Sequence, residues 1–279
     1  MTLKINKIKP LLKLEKKEFK YLSPFIYFYN KNYLLFFCNR GKNSKKFYGE
    51  INLAKSSNLH SWSKVSFSLK PKGNIISLTS PCIFKKNNFF YLIAQAQDKK
   101  KKNFIISFKS VDLIKWKKSN KIKIKPNNSN AKSPTYLNYC GRDLIIFSKE
   151  SAKKKQIVAH DINSKKKKIL LTNCFLNERY SLYGPSLLKI DGNFIMFFSS
   201  WKNSKSGGIK IAFGKSIYTL TRTRRFFLQG YGKINIISEP FIIKKDKYLY
   251  LFFEYKNEDG NWYLGKQKIN INQIKNIVK

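Results

Sequence analysis

Acid–base chemistry on this chain has few places to come from. The 279 residues carry 15 Asp and Glu against 57 Lys and Arg, with only two His, so each acid can be weighed in turn. Glu15, Glu18, Asp98, Glu258 and Asp259 fall in tails or charged loops, as solvated partners of lysines. Asp143, Asp191 and Asp246 belong to tight turns, Asp161 to a strand end, and Asp112 to a turn-capping tract. Glu50, Glu150, Glu178, Glu239 and Glu254 remain. A positioned carboxyl group can give or take a proton in a reaction. Glu239, Glu254, Glu178 and Glu150 are the candidates for such a role, each with the plainer alternative of pairing with a surface lysine. Glu239 leads because it stands directly before Pro240, at the start of a strand.

The other reactive types offer less. Cys38, Cys82, Cys140 and Cys174 are widely separated, without a Cys-x-x-Cys pair, so buried free thiols are expected rather than a disulfide framework or zinc site. His60 and His160 lie in or near strand-edge turns and form no metal cluster or triad with other residues. No metal and no cofactor are expected.

What must position the acids is a repeat. Five times a small or polar residue precedes Pro and an apolar run: Ser23-Pro24-Phe25-Ile26, Ser80-Pro81-Cys82-Ile83, Ser133-Pro134-Thr135-Tyr136, Gly184-Pro185-Ser186-Leu187 and Glu239-Pro240-Phe241-Ile242. The prolines are 57, 53, 51 and 55 residues apart, and a period near 50 built from short strands marks a propeller or solenoid. Each Pro-led strand is followed by an Asn-, Asp- or Gly-bearing turn suited to positive φ. A second, aromatic-rich strand follows (Tyr33–Phe37, Phe89–Ile93, Leu144–Phe147, Phe194–Phe198, Tyr248–Phe253), then a third. Ser56-Ser57-Asn58-Leu59-His60-Ser61-Trp62 matches Ser110-Val111-Asp112-Leu113-Ile114-Lys115-Trp116 at the same place after its Ser-Pro. No helix of convincing length is expected.

These motifs resemble the five-bladed β-propeller glycoside hydrolases: the family 43 arabinanases and β-xylosidases, with the related invertases and levansucrases. The likeness runs from about residue 20 to 270 and implies one all-β, five-bladed propeller over residues 1–279. Blades would start near residues 23, 80, 133, 184 and 239, with 1–20 as an N-terminal extension or closing strand. It further implies a sugar in a funnel on the axis and three carboxylates at inner-strand starts. At the positions where the family carries those acids, this chain has Ser23, Ser133 (or Ser80) and Tyr183. Hydrolysis of a glycosidic bond needs one carboxyl as acid and another as base or nucleophile. Catalysis here would therefore rest on Glu239 with Glu150, Glu178 or Glu254. Ser23, Ser80, Ser133, Arg40, Arg179, Tyr180, Tyr183 and Trp201 are the expected substrate contacts, the aromatics as sugar platforms and Arg40 as a grip for an anionic group. The expected ligand is a carbohydrate. The alternative is an inactive propeller that binds glycans or assists polysaccharide or glycolipid assembly.

The net charge of +42 ordinarily suggests a polyanion partner. Yet 51 of the basic residues are Lys and six are Arg, alongside many Asn, Ile, Phe and Tyr, a set that A/T-rich codons alone would supply. A basic scaffold for nucleic acid or anionic lipid is thus the third reading, and no DNA-reading helix or RNA-binding signature supports it. Lys42, Lys45, Lys46, Lys99 to Lys102, Lys153 to Lys155, Lys202, Lys205 and Lys256 fall in loops on the side where inner strands begin, so an anionic glycan is the charged ligand to expect. The first 22 residues lack the apolar run of a secretory signal, and no stretch is long and apolar enough to span a membrane. A cytoplasmic monomer is the default.

Overall fold

The computed structural model describes residues 2–14, 19–41 and 49–278. After a short strand β1 (Leu3–Ile5), a four-stranded antiparallel sheet holds β2 (Phe19–Tyr29), β3 (Asn32–Gly41), β4 (Glu50–Ser56) and β5 (Ser63–Leu69). A second holds β6 (Ile75–Lys86), β7 (Phe89–Asp98), β8 (Asn103–Ser110) and β9 (Lys117–Ile124). A third holds β10 (Asn130–Tyr139), β11 (Arg142–Glu150), β12 (Lys155–Asp161) and β13 (Lys167–Thr172). The 3-10 turn Leu176–Glu178 leads into β14 (Ser181–Ile190), β15 (Asn193–Asn203) and β16 (Ser206–Gly214), flanked by β17 (Thr221–Arg222) and β18 (Leu228–Gly230). The last meander is β19 (Ile234–Lys245), β20 (Tyr248–Asn257) and β21 (Trp262–Asn270), followed by α1 (Ile271–Val278). A single parallel pair, Gly207 with Ile236, joins it to the preceding sheet.

Local chemistry accounts for the hairpins. Asn30, Asn87, Cys140, Gly141, Asp191, Gly192 and Asp246 all take positive φ at the tips joining each Pro-led strand to the next, the conformation tight hairpins require. The paired Ser-x-Asn/Asp tracts fold as one device. Asn58 Oδ1 accepts the His60 and Ser61 amides at 2.8 and 3.0 Å, and Asp112 Oδ1 those of Ile114 and Lys115 at 2.9 and 2.7 Å. Each turn drives a leucine inward, Leu59 and Leu113 being 0% and 1% exposed.

The five Pro-led strands form a ring: β2 packs on β6, β6 on β10, β10 on β14, β14 on β19, and β19 back on β2. Apolar wedges fill the space between neighbouring sheets. Closure rests on Tyr21, Leu35 and Phe37 from the first sheet, packed with Phe252 and Leu264 from the last, and on Phe25 against Phe241 at 4.5 Å. Each such side chain withdrawn from water contributes about 1.5–3 kcal/mol. The N-terminal segment crosses the seam between the last two sheets: β1 pairs in parallel with β18, and Leu11 N–H donates to Leu264 O at 2.9 Å.

Two expectations need correction. A helix does form: Ile271 and Ile274, three apart, are buried against the last sheet, and Asn270 Oδ1 accepts the Asn272 amide at its start. The cysteines divide, with Cys38 and Cys82 buried but Cys140 and Cys174 exposed, because Cys140 occupies a hairpin tip and Cys174 the stretch after β13. Glu15, Glu18 and the lysines at 42, 45 and 46 lie outside the described residues.

Candidate functional site

The residue before each repeated proline has left-handed φ: Ser23 +54°, Ser80 +47°, Ser133 +48°, Gly184 +63° and Glu239 +48°. At the same five places the strand register slips, between Leu22 and Phe25, Thr79 and Cys82, Lys132 and Thr135, Tyr183 and Ser186, and Ser238 and Phe241. Each is a β-bulge, and the proline suits it because a bulged residue leaves the ladder and Pro has no N–H to satisfy. Left-handed φ is costly for a side-chain-bearing residue, about 1–2 kcal/mol. The bulges turn all five positions toward the centre, where with their prolines they line one small cavity of about 30 Å³.

The amides freed by three bulges find side-chain acceptors on the second strand of the preceding sheet. Ser133 N–H donates to Gln95 Oε1 at 3.2 Å, Glu239 N–H to Ser199 Oγ at 2.8 Å, and Ser23 N–H to Glu254 Oε2 at 2.9 Å. Gln95, Ser199 and Glu254 stand at the same register position, opposite Thr79, Tyr183 and Ser238. Glu254 thus bonds the last meander to β2.

A larger cavity of about 350 Å³ opens on the same end of the ring. Glu239, Glu254 and Glu150 all line it, as do Ser23, Arg40, Ser80, Ser133, Tyr180, Tyr183 and Trp201. Glu254 accepts the Ser238 hydroxyl at 2.7 Å besides the Ser23 amide. Glu239 accepts the Ser133 hydroxyl at 2.5 Å. Burial raises the pKa of Glu239 well above the usual carboxylate range, and the charge of Glu254 adds to it. Burial also raises Glu254, against the pull of its two donors. Two donors on Glu254 and one on Glu239 favour ionised Glu254 and place the proton on Glu239. Burial, then the charges of Glu254 and Glu239, push the Tyr183 phenol well above its ordinary value, so it remains a donor. Glu150 is fixed by Lys132 at 2.5 Å and the Ser181 hydroxyl at 2.6 Å.

The cavity has two unlike walls. Gln95, Gln97, Asn103, Lys132 and Glu150 make one from the second and third sheets; Tyr180, Tyr183 and Trp201 make the other. Tyr180 and Trp201 lie nearly parallel, with centroids 6.1 Å apart and 11° between planes, and Trp262 continues the stack at 6.3 Å.

Two predicted site residues fall elsewhere. Glu178 is fully buried between Lys210 Nζ at 2.8 Å and Arg222 at 3.0 Å, and it accepts the Cys174 amide. It neutralises a buried lysine and does not reach the cavity. Arg179, next to it at the end of the 3-10 turn, is likewise absent from the cavity lining. Glu50 also lies outside, accepting from Asn52 at 3.1 Å. The amide wall was not anticipated, although Gln95 shares the repeat position of Glu254 and Lys132 directly precedes Ser133. Among the described residues, no group of three or more His, Cys, Asp or Glu is arranged to hold a metal ion, and no helix is long and apolar enough to cross a membrane.

No protein-family model matches this chain, and no curated protein matches its sequence. Solved structures do resemble it. One described as a glycoside hydrolase aligns over 94% of this chain and 91% of its own, with TM-score 0.79 at 11% identity. A thermostable family-43 glycoside hydrolase aligns over 90% and 89%, with TM-score 0.72 at 14% identity. An α-L-arabinofuranosidase from Lactobacillus brevis aligns over 94% and 92%, with TM-score 0.70 at 12% identity. At such identities the likeness is one of fold: this chain has a family-43-like β-propeller fold.

Proposed function

We propose that the chain is a five-bladed propeller that binds a carbohydrate in its axial cavity. The observation that carries this reading is the facing of an amide and charged wall by an aromatic one across about 350 Å³. Sugars present C–H-rich faces to flat rings and hydroxyls to amides and carboxylates, and a cavity lined with convergent polar groups beside aromatic rings suits such a ligand. The solved structures of like fold include enzymes named for glycoside hydrolysis and for arabinofuranoside cleavage, which supports the same ligand class. As a glycan-binding unit it would serve a larger assembly or degradation step.

One observation favours a second reading, cleavage of the bound glycan. Glu239, whose carboxyl pKa burial holds above the usual range, and Glu150, paired with Lys132, border the same cavity. In that reaction Glu239 donates its proton to the leaving glycosidic oxygen, while Glu150 takes a proton from the water whose oxygen bonds to the anomeric carbon. The Ser133 hydroxyl and the Ser199 bond to the Glu239 amide hold the donor in place.

Calorimetry with pentose and hexose oligosaccharides, paired with turnover of aryl glycosides, tests both readings. Saccharide binding by the native chain is expected, weakened about tenfold or more in Tyr180→Ala by loss of the exposed end of the aromatic stack. Glu239→Gln should retain binding and lose any turnover. Absence of binding to every saccharide at millimolar concentration would sink the carbohydrate reading; turnover surviving Glu239→Gln would sink the acid assignment alone.

A further inference from the structure

A second pocket, about 340 Å³, adjoins the axial cavity and shares Glu150 with it. It is bordered by Lys102 from the β7–β8 turn, Asn128 to Asn130 at the start of β10, and Ser151 and Lys155 from the β11–β12 turn. Its polar groups are weighted to donors. Asn130 Oδ1 accepts the Asn103 amide at 2.9 Å, which fixes the side-chain orientation and leaves the Asn130 NH₂ to donate outward. Lys155 is half-buried and gives one N–H to Ser151 O at 2.8 Å, and an ammonium has two more. The one acid on the border is already engaged, with Lys132 on one oxygen of Glu150 and the Ser181 hydroxyl on the other. Two lysines and an amide donor therefore border a pocket whose sole carboxylate is paired with Lys132.

We infer that this side pocket takes the carboxylate or sulfate of a second sugar unit, so that the ligand is an acidic glycan with one unit in the axial cavity and its charged neighbour beside Glu150. The inference rests on the carbohydrate reading and names the ligand class. Lys102 and Lys155 supply charge-assisted bonds to the acidic group, Asn130 orients it, and the shared border at Glu150 lets one chain occupy both spaces.

The test is calorimetric titration of the full chain with galacto-oligosaccharides and galacturono-oligosaccharides, and with xylo-oligosaccharides with and without a glucuronic acid branch. In at least one matched pair the acidic member should bind about tenfold more tightly, a preference that fades in about 1 M NaCl. Lys102→Ala/Lys155→Ala should reduce the preference to about twofold or less while leaving neutral-saccharide affinity unchanged, which also certifies the fold. Lys166→Ala, in the turn at the far end of β12, should leave it intact. Equal binding of neutral and acidic members, or a preference that survives the double substitution, overturns the side pocket and leaves the axial site standing. Binding to neither set overturns both.

Discussion

Gly184→Ala probes how tightly the backbone around the axis is determined. Gly184 has φ +63°, and a Cβ there would lie 3.3 Å from Glu239 Cα, 3.3 Å from Ser199 Oγ and 3.4 Å from Glu239 Oε2. Two costs follow and can be separated. Placing alanine in the left-handed region costs about 1–2 kcal/mol. Gly192, at φ +78° in an open turn with nothing within 4 Å of an added Cβ, bears that cost alone. At position 184 the methyl also presses on the Ser199 hydroxyl, which accepts the Glu239 amide at 2.8 Å. Loss of that bond leaves an enclosed N–H without an acceptor, worth about 1–3 kcal/mol. Gly184→Ala should therefore cost about 2–5 kcal/mol and Gly192→Ala about 1–2 kcal/mol. For a chain of this size each kcal/mol lowers Tm by about 2–4 °C. Urea denaturation of both variants gives the difference, and saccharide titration should show weakened affinity only for Gly184→Ala. Equal destabilisation by the two substitutions would refute the claim that this glycine is packed against the Glu239 backbone.

Glu239→Gln should change stability in a pH-dependent way. The folded state raises this carboxyl's pKa, so its contribution to stability is full below the unfolded value near 4.3 and falls as pH rises. The variant should match the native chain at about pH 4 and exceed it at about pH 8 in chemical denaturation; a constant difference across that range would mean that folding leaves the Glu239 carboxyl's pKa unshifted. Lys210→Met should cost about 1–3 kcal/mol, because Glu178 loses its fully buried partner at 2.8 Å but keeps Arg222 at 3.0 Å. A loss below about 1 kcal/mol in urea denaturation would show that Arg222 alone satisfies Glu178.

The ring was legible because its cause is written locally. A bulge that must discard an amide selects proline, and the residue ahead of that proline is thereby marked in the sequence, as at Ser23, Ser133 and Glu239. The hairpin tips carried their own Asn, Asp and Gly. What escaped notice depends on partners far off in the chain. Glu178 resembled a site acid until Lys210 and Arg222, 32 and 44 residues away, folded over it. Gln97, Asn103 and Lys132 become one wall only when the ends of two sheets meet, and nothing periodic marks them. The helix α1 is short and rich in Asn, a weak helix former; burial of Ile271 and Ile274 on the last sheet supplies what propensity does not.

The five bulges share a further property: the backbone, not the side chain, bears the conformational cost of facing the axis. Serine, glycine and glutamate occupy equivalent sockets with φ between +47° and +63°. Where a Cβ is already accommodated, as at Ser23, Ser80, Ser133 and Glu239, such a socket sets the backbone and leaves the side-chain chemistry open. An exchange at Ser23, Ser80 or Ser133 would alter what the axis can donate, accept or repel without asking the sheets to move, and a charge brought in at one point would be felt by four neighbours at once. The ring works as a keyboard of five keys under one common sounding board.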